Sequence, residues 1–297
     1  MLNRSNSTIS DEIKRGSVRG VYDPQKANHK AYIRRHESKY QAMKIVENGD
    51  LRDFVEASLY DGQSPRNIAG RIKKREKHLP SLGKDSIYRF IASVYGRRIE
   101  YLRSTNKKRR KGRGRKVKKL EDRVFIDKRP EVINERKRLG DAEADFIVSG
   151  KYGKGILLTL VDRKTRASFI EQILSVSIQN VEKSFVKIKK RFPELKTMTT
   201  DNDILFRHHK RLEKLIGVTI YFCNPYHSWE KGSIENTNKY IRKDIPKGSD
   251  ISKYSKHFIC NIEKKLNRRF MEVTNHETPE EGLARLRKRK STSTSKK

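Results

Sequence analysis

The sequence predicts a mixed α/β domain preceded by a small all-α region, and three observations carry that prediction. From Gly140 onward, short β-prone segments alternate with amphipathic helical ones. Upstream, SPRNIAGRIKKREK and KDSIYRFIASVYG each repeat apolar residues at helical spacing. Between the two regions, residues 103–120 hold eleven Lys or Arg and no acid. Like-charge repulsion and two glycines keep such a segment extended until phosphates neutralise it. The expected organisation is a partial helix-turn-helix and basic helix over 1–50, a helix-turn-helix over 51–105, a basic linker over 106–139, the α/β domain over 140–275 and a basic tail over 276–297, disordered after Leu286.

In chain order, RSNSTISDEIKRG places Ile9 and Ile13 four apart on one helix face, with Ser7 as N-cap. Thr8, Ser10, Lys14 and Arg15 cover the rest, as on a recognition helix. No partner helix precedes it, so half of this unit is expected to be missing. Asp23-Pro24 then supplies a cap and a first-turn proline for a basic helix running through AYIRRHESKYQAMKIV. In the next unit Ile68 and Ile72 share a face, a loop runs past Pro80 and Gly83, and Asp85 or Ser86 caps a second helix. That pattern matches a helix-turn-helix, whose second helix enters the major groove and here presents Ser86, Tyr88 and Arg89. A purely structural helical hairpin is the alternative.

Past Gly140, EADFIV, GILLTLVDR and SFIEQI read as three antiparallel strands joined by short turns. Val181, Phe185, Ile188 and Phe192 then make a helical stripe. Strand TMTTD, helix LFRHHKRLEKLIG, strand VTIYF, a loop through Pro225 and Trp229, and two further helices complete the domain. The order βββαβαβα is that of a ribonuclease-H-like fold.

Lys and Arg number 71 against 36 Asp and Glu, a net charge of +35, so the partner is a polyanion. A membrane is disfavoured: no apolar run approaches the roughly 20 residues that span a bilayer, and the N-terminus lacks the apolar stretch of a signal peptide. Cys223 and Cys260 are too few for a disulfide framework or a four-Cys zinc site. These features point to a cytosolic, nucleic-acid-directed protein.

Three acids stand out. Asp145 lies in mid-strand between Ala144 and Phe146, where a carboxylate is costly without a cation. Asp201 ends a strand, and Glu235 opens a helix, with 33 residues between the two acids. Carboxylates converging from two strands and a helix form the oxygen cage that two Mg²⁺ ions need for phosphoryl transfer. Glu143 and Glu230 are rivals for the trio, with Glu143 placed behind Asp145 and Glu230 in a loop; Asp141 and Asp162 read as edge or turn residues. Asn238, Lys239 and Arg242 follow Glu235 along one helix side and could track a DNA strand, a basic solvent face being the ordinary alternative. Lys107, Lys108, Arg109 and Arg110 are expected to grip phosphate without reading bases. His208, His209 and His227 have no ligand spacing and read as surface or DNA-facing, while Trp229 serves equally as a base-stacking or a loop-packing residue.

SPRNIAGRIKK…DSIYRFI, GDAEADFIVSG, TLVDRKTR, TTDND and above all NPYHSWEKGSIENTNKYIRKDIPKGSD resemble transposases of the insertion sequence 30 family, which are DDE recombinases. The resemblance covers nearly the whole chain. It implies catalysis by Asp145, Asp201 and Glu235 with two Mg²⁺ or Mn²⁺ ions, and a basic residue of the site at Arg242. It also implies duplex DNA partners (element ends and target), homo-oligomers on DNA, and a bacterial or archaeal cytosol with the protein on the nucleoid. Two departures stand near the acids: AEAD replaces the family's WEGD, and DNDILF replaces DNG-x-EF. A repressor that has lost catalysis and another ribonuclease-H-like nuclease remain as alternatives.

Overall fold

The structure, a computed structural model, describes residues 4–18, 20–38, 43–96, 123–224 and 228–294, which fall into two compact units, Met1–Asn106 and Lys107–Lys297. The expected phosphate-gripping residues Lys107, Lys108, Arg109 and Arg110 lie outside the described residues.

The first unit opens with helix α1 (Asn6–Gly16). Its N-cap is Ser5, two residues before the expected Ser7, with the Ser5 hydroxyl accepting from Thr8 N at 3.3 Å. A two-residue hairpin, β1 (Ser17–Val18) and β2 (Val21–Tyr22), turns through Gly20 at φ 81°. Helix α2 (Pro24–Ser38) follows, capped as expected by Asp23, whose carboxylate accepts from the amides of Gln25 and Lys26. It packs back on α1, Lys30 Nζ reaching the Ser17 carbonyl at 3.2 Å. Helix α1 therefore finds its partner downstream. Helix α2 is described as far as Ser38, and beyond it Met43, in extended conformation, precedes a separate turn, α3 (Lys44–Glu47), that carries Ile45.

Helices α4 (Gly49–Tyr60), α5 (Pro65–Lys74) and α6 (Lys84–Ala92) build one apolar core from Leu51, Val55, Leu59, Ile68, Ile72, Ile87, Phe90 and Ile91. Asn48 caps α4, and Ser64, followed by Pro65, caps α5. Leu79 anchors the α5–α6 loop by burying its side chain in that core. Helix α6 begins earlier than expected: its N-cap is Gly83 rather than Asp85 or Ser86. Tyr88 and Arg89 are exposed on α6, and Ser86 is half-buried.

The second unit centres on a five-stranded sheet of β3 (Asp141–Val148), β4 (Ile156–Asp162), β5 (Ser168–Ile173), β6 (Thr197–Thr200) and β7 (Thr219–Phe222), in the order β5-β4-β3-β6-β7. The first three run antiparallel, and β6 and β7 add parallel to β3. This is the ribonuclease-H-like arrangement expected from the element order. Helices α8 (Ile178–Arg191) and α9 (His209–Ile216) cover one face; α10 (Gly232–Asp244) and α11 (Lys256–Asn267) cover the other. Strand β3 alternates between the two layers. Ala142, Ala144 and Phe146 join Phe185, Ile188 and Phe192 of the expected stripe, while Ile147 packs with Ile241, Ile245 and Ile262. An aromatic cluster of Phe146, Phe185, Phe206 and Phe222 fills the first layer.

Two segments differ from the sequence reading. Residues 123–139, expected in the linker, pack on the sheet: Val124 O accepts from Phe222 N at 2.8 Å, and α7 (Glu131–Asn134) sits beside Arg129, which donates to Thr199 Oγ1 at 3.0 Å. The basic tail is helical from Pro279 to Thr294 (α12), anchored by Arg285 on Glu277 and Arg287 on Glu194. Its partly buried Leu283 and Leu286 complete an amphipathic stripe that the surrounding charges conceal.

Candidate active site

Strands β3 and β6 pair only as far as Glu143 opposite Thr199. Two residues on, where the pairing has ended, stand Asp145 and Asp201. In open α/β sheets such a crevice, where neighbouring connections diverge, is where ligands bind. On the other side Asp145 pairs with Thr159 of β4, which is buried along its whole length, so the first acid rests on a rigid strand.

Between the two carboxylates lies Lys231. Its ammonium is 3.3 Å from Asp145 Oδ1 and 3.2 Å from Asp201 Oδ2, with the side chain only 6% exposed. Asp145 Oδ2 accepts from Asn238 Nδ2 at 2.7 Å, and Asn238 Oδ1 accepts from the Thr159 hydroxyl at 3.2 Å. The remaining oxygen, Asp201 Oδ1, is buried without a hydrogen-bond partner. Burial raises the Asp145 pKa; Lys231 opposes that and Asp201 adds to it. Burial works against charge on Lys231, yet Asp145 and Asp201 outweigh it and its pKa is raised.

Glu235 sits in the first turn of α10, one turn after Lys231 and one before Asn238. The residues on either side of it along that helix stripe both bond Asp145, so the stripe carrying Glu235 faces β3. Among the described residues no three Asp, Glu, His or Cys side chains close on a common metal position. The donor set nonetheless suits a hard divalent cation: two carboxylates meet, one oxygen is orphaned, and a positive charge, the Lys231 ammonium, already stands between them.

Glu143 does not join Asp145 and Asp201 around Lys231. It is wholly buried, paired with Arg163 at 2.9 Å, and accepts from the backbone amides of Ser233 and Ile234 at 3.0 and 2.9 Å. A carboxylate on two free amides of a helix start is a favourable N-terminal anchor. Burial lowers the Arg163 pKa to about 10 despite Glu143 beside it. Arg166 adds a hydrogen bond to the Ser233 hydroxyl. Glu230 braces the loop before α10 by accepting from Asn224 N at 2.9 Å. Asp162 accepts from the amides of Gly140, Lys164 and Thr165, the turn role expected of it. Asp141 pairs with Arg138 and Thr197 inside the sheet.

The helix face expected to track DNA is divided. Lys239 is exposed, but Asn238 turns inward to Asp145, and Arg242 donates to the carbonyls of Val148 at 3.1 Å and Pro246 at 3.4 Å. Asn238 thus orients an acid, because its helical position faces β3. His208 is exposed, whereas His209, expected at the surface, is 5% exposed and packs edge-on against Phe222 at 5.0 Å. His227 and the Trp229 side chain lie outside the described residues. The sequence reading missed Lys231, Asn238 as an orienting group, and Arg163. For Lys231 the spacing of four before Glu235 was the available signal.

No protein-family model matches the chain. The transposase for insertion sequence element IS4351 of Bacteroides fragilis is 34% identical over 288 residues, 94% of this chain and 86% of that protein. Transposase InsI for insertion sequence element IS30A of Escherichia coli is 31% identical over 302 residues, 96% and 77% of the two chains. The chain belongs to the IS30 family of transposases. A further relative, the transposase for IS1086 of Cupriavidus metallidurans, is 28% identical over 298 residues, 96% of this chain and 87% of that protein. Among solved structures, the catalytic core domain of BIV integrase aligns with 51% of this chain and 98% of its own at 16% identity and TM-score 0.40. Among the described residues of this IS30-family chain, no helix is long and apolar enough to cross a membrane.

Proposed function

We propose that the chain is a DNA transposase of the DDE class, cutting and joining strands at Asp145, Asp201 and Glu235. One observation carries this reading: Asp145 and Asp201 meet where β3 and β6 part, with a cation between them and one buried oxygen unpartnered. Two like charges so close are unfavourable unless positive charge stands between them. Asp145 and Asp201 would hold two Mg²⁺ or Mn²⁺ ions, with Glu235 completing one shell. Ions bound there would supply Lewis acidity to an attacking water or 3′-hydroxyl and to the leaving oxygen. Asn238 fixes the Asp145 rotamer, so the acid need not reorganise when substrate arrives. Glu143 fixes where α10 begins and hence which way Glu235 points.

In the same reading the exposed Tyr88 and Arg89 of α6, with Ser86, read element-end DNA. Lys239 and the basic run at Lys107, Lys108, Arg109 and Arg110 hold phosphates, and two ends meet in a homo-oligomer on DNA. Asp145→Asn, Asp201→Asn and Glu235→Gln tested on end DNA in Mg²⁺ should each abolish nicking and joining yet retain binding at stated salt. A double variant should be little worse than a single one, because the acids act as a unit. Full activity in any single variant removes that residue from the site.

A further inference from the structure

Lys231 has no place in the chemistry described so far, and its position is unusual. Lysine is almost never buried unless paired; this one is paired twice, with Asp145 on β3 and with Asp201 just past the end of β6. It is the N-cap residue of α10, yet its side chain caps nothing and reaches across the crevice instead. It supplies one charge where two carboxylates converge, and it leaves Asp201 Oδ1 unsatisfied. An ammonium is a compact point charge on a flexible stem, so it can fill such a position and also leave it.

We propose that Lys231 is a resident cation that holds Asp145 and Asp201 in place until divalent metal displaces it, and that the released ammonium then binds a DNA phosphate. This rests on the reading that the two acids hold divalent metal. The ammonium and a metal ion cannot share Asp145 Oδ1 and Asp201 Oδ2, so metal binding must break both ion pairs. Breaking them strands a buried positive charge, and the nearest compensating anion in a working complex is the phosphodiester backbone of the bound strand. Metal loading and DNA binding would therefore favour one another, as linkage requires of coupled sites. Empty enzyme would hold metal weakly, and a loaded site would form preferentially on substrate.

The test is calorimetric titration of the full chain with Mn²⁺, with and without element-end DNA, for the native protein and for Lys231→Gln. Lys231→Gln should bind Mn²⁺ about tenfold tighter or more without DNA, a shift of about 1.4 kcal/mol. DNA should strengthen Mn²⁺ binding to the native protein and much less to the variant. Equal Mn²⁺ affinity in the two proteins overturns the role of Lys231 and leaves the metal reading intact. No Mn²⁺ binding by either protein overturns both. A second measurement needs no variant: the native protein is labelled with an amine-reactive reagent in EDTA or in Mn²⁺, and Lys231 is followed by mass spectrometry. Labelling several-fold faster in Mn²⁺ is expected, and an unchanged or slower rate overturns the proposal.

Discussion

The helical core around α4–α6 and the sheet domain solve opposite problems. In the first, the buried side chains are Leu, Ile, Val, Phe, Ala and Pro65, joined among the described residues only by uncharged Ser58, Gln63 and Ser93. Apart from the part-buried Arg71–Glu76 pair, most of its charges sit outside, where water solvates them. The sheet domain instead buries Asp141, Glu143, Asp162, Arg163 and Lys231. A surface that reads DNA needs a scaffold held by apolar packing, with the reading groups left wet. A site that must bring like charges together needs each charge placed by a partner, because an unpaired buried charge is far more costly than an imperfect hydrophobic fit.

The sharpest way to break this comparison is at Glu143. Glu143→Ala leaves Arg163 buried without its partner and two amides of α10 open, so it should cost about 3–5 kcal/mol in denaturant unfolding. Replacing both members, Glu143→Leu with Arg163→Met, should recover much of that stability but not strand transfer, since the start of α10 stays unanchored. Recovery of both would mean that the pair is packing alone. On the helical side, Arg89→Ala should weaken end-DNA binding by about 1–3 kcal/mol and shift stability by no more than about 0.5 kcal/mol. A large loss of stability would make Arg89 part of the core and blur the contrast.

The smallest effect concerns Glu263 of α11, which pairs with Arg191 at 2.8 Å and accepts from Ile170 N. Burial raises its pKa above 4.5, with Arg191 and the Ile170 amide opposing. The folded state therefore holds that proton more tightly than the unfolded chain. Its contribution to stability is fully present below pH 4.5 and is lost as pH rises through the folded pKa. Glu263→Gln should flatten melting temperature against pH just above 4.5; an unchanged profile would show that Arg191 cancels the cost of burial.

Much of the fold could be read from the sequence, because it is written in local periodicity. Strands β3, β4 and β5 fall where alternation and turns put them, and the stripe from Val181 to Phe192 is buried as expected. Of the candidate site, the convergence of Asp145 and Asp201 was legible because each acid interrupts or ends an apolar segment. Lys231 and Asn238 were not, since a Lys or Asn on a helix is ordinary until the helix is seen to face a strand. The packing of residues 123–139 was hidden for a similar reason: Phe125 and Arg129 make contacts 70 residues away or more and leave no period behind.

The anchoring of Ser233 and Ile234 on Glu143 also bears on how such chains can vary in length. A helix advances about 100° and 1.5 Å per residue. One residue inserted between Ile234 and Glu235 would swing the glutamate a quarter-turn away from Asp145. The same insertion upstream of Lys231 would be absorbed before the anchor and leave the angle untouched. The last four residues of the interval from Asp201 to Glu235 are therefore fixed in length, and insertions and deletions among relatives should fall before Lys231 and outside α9 and β7, whose buried residues belong to the core.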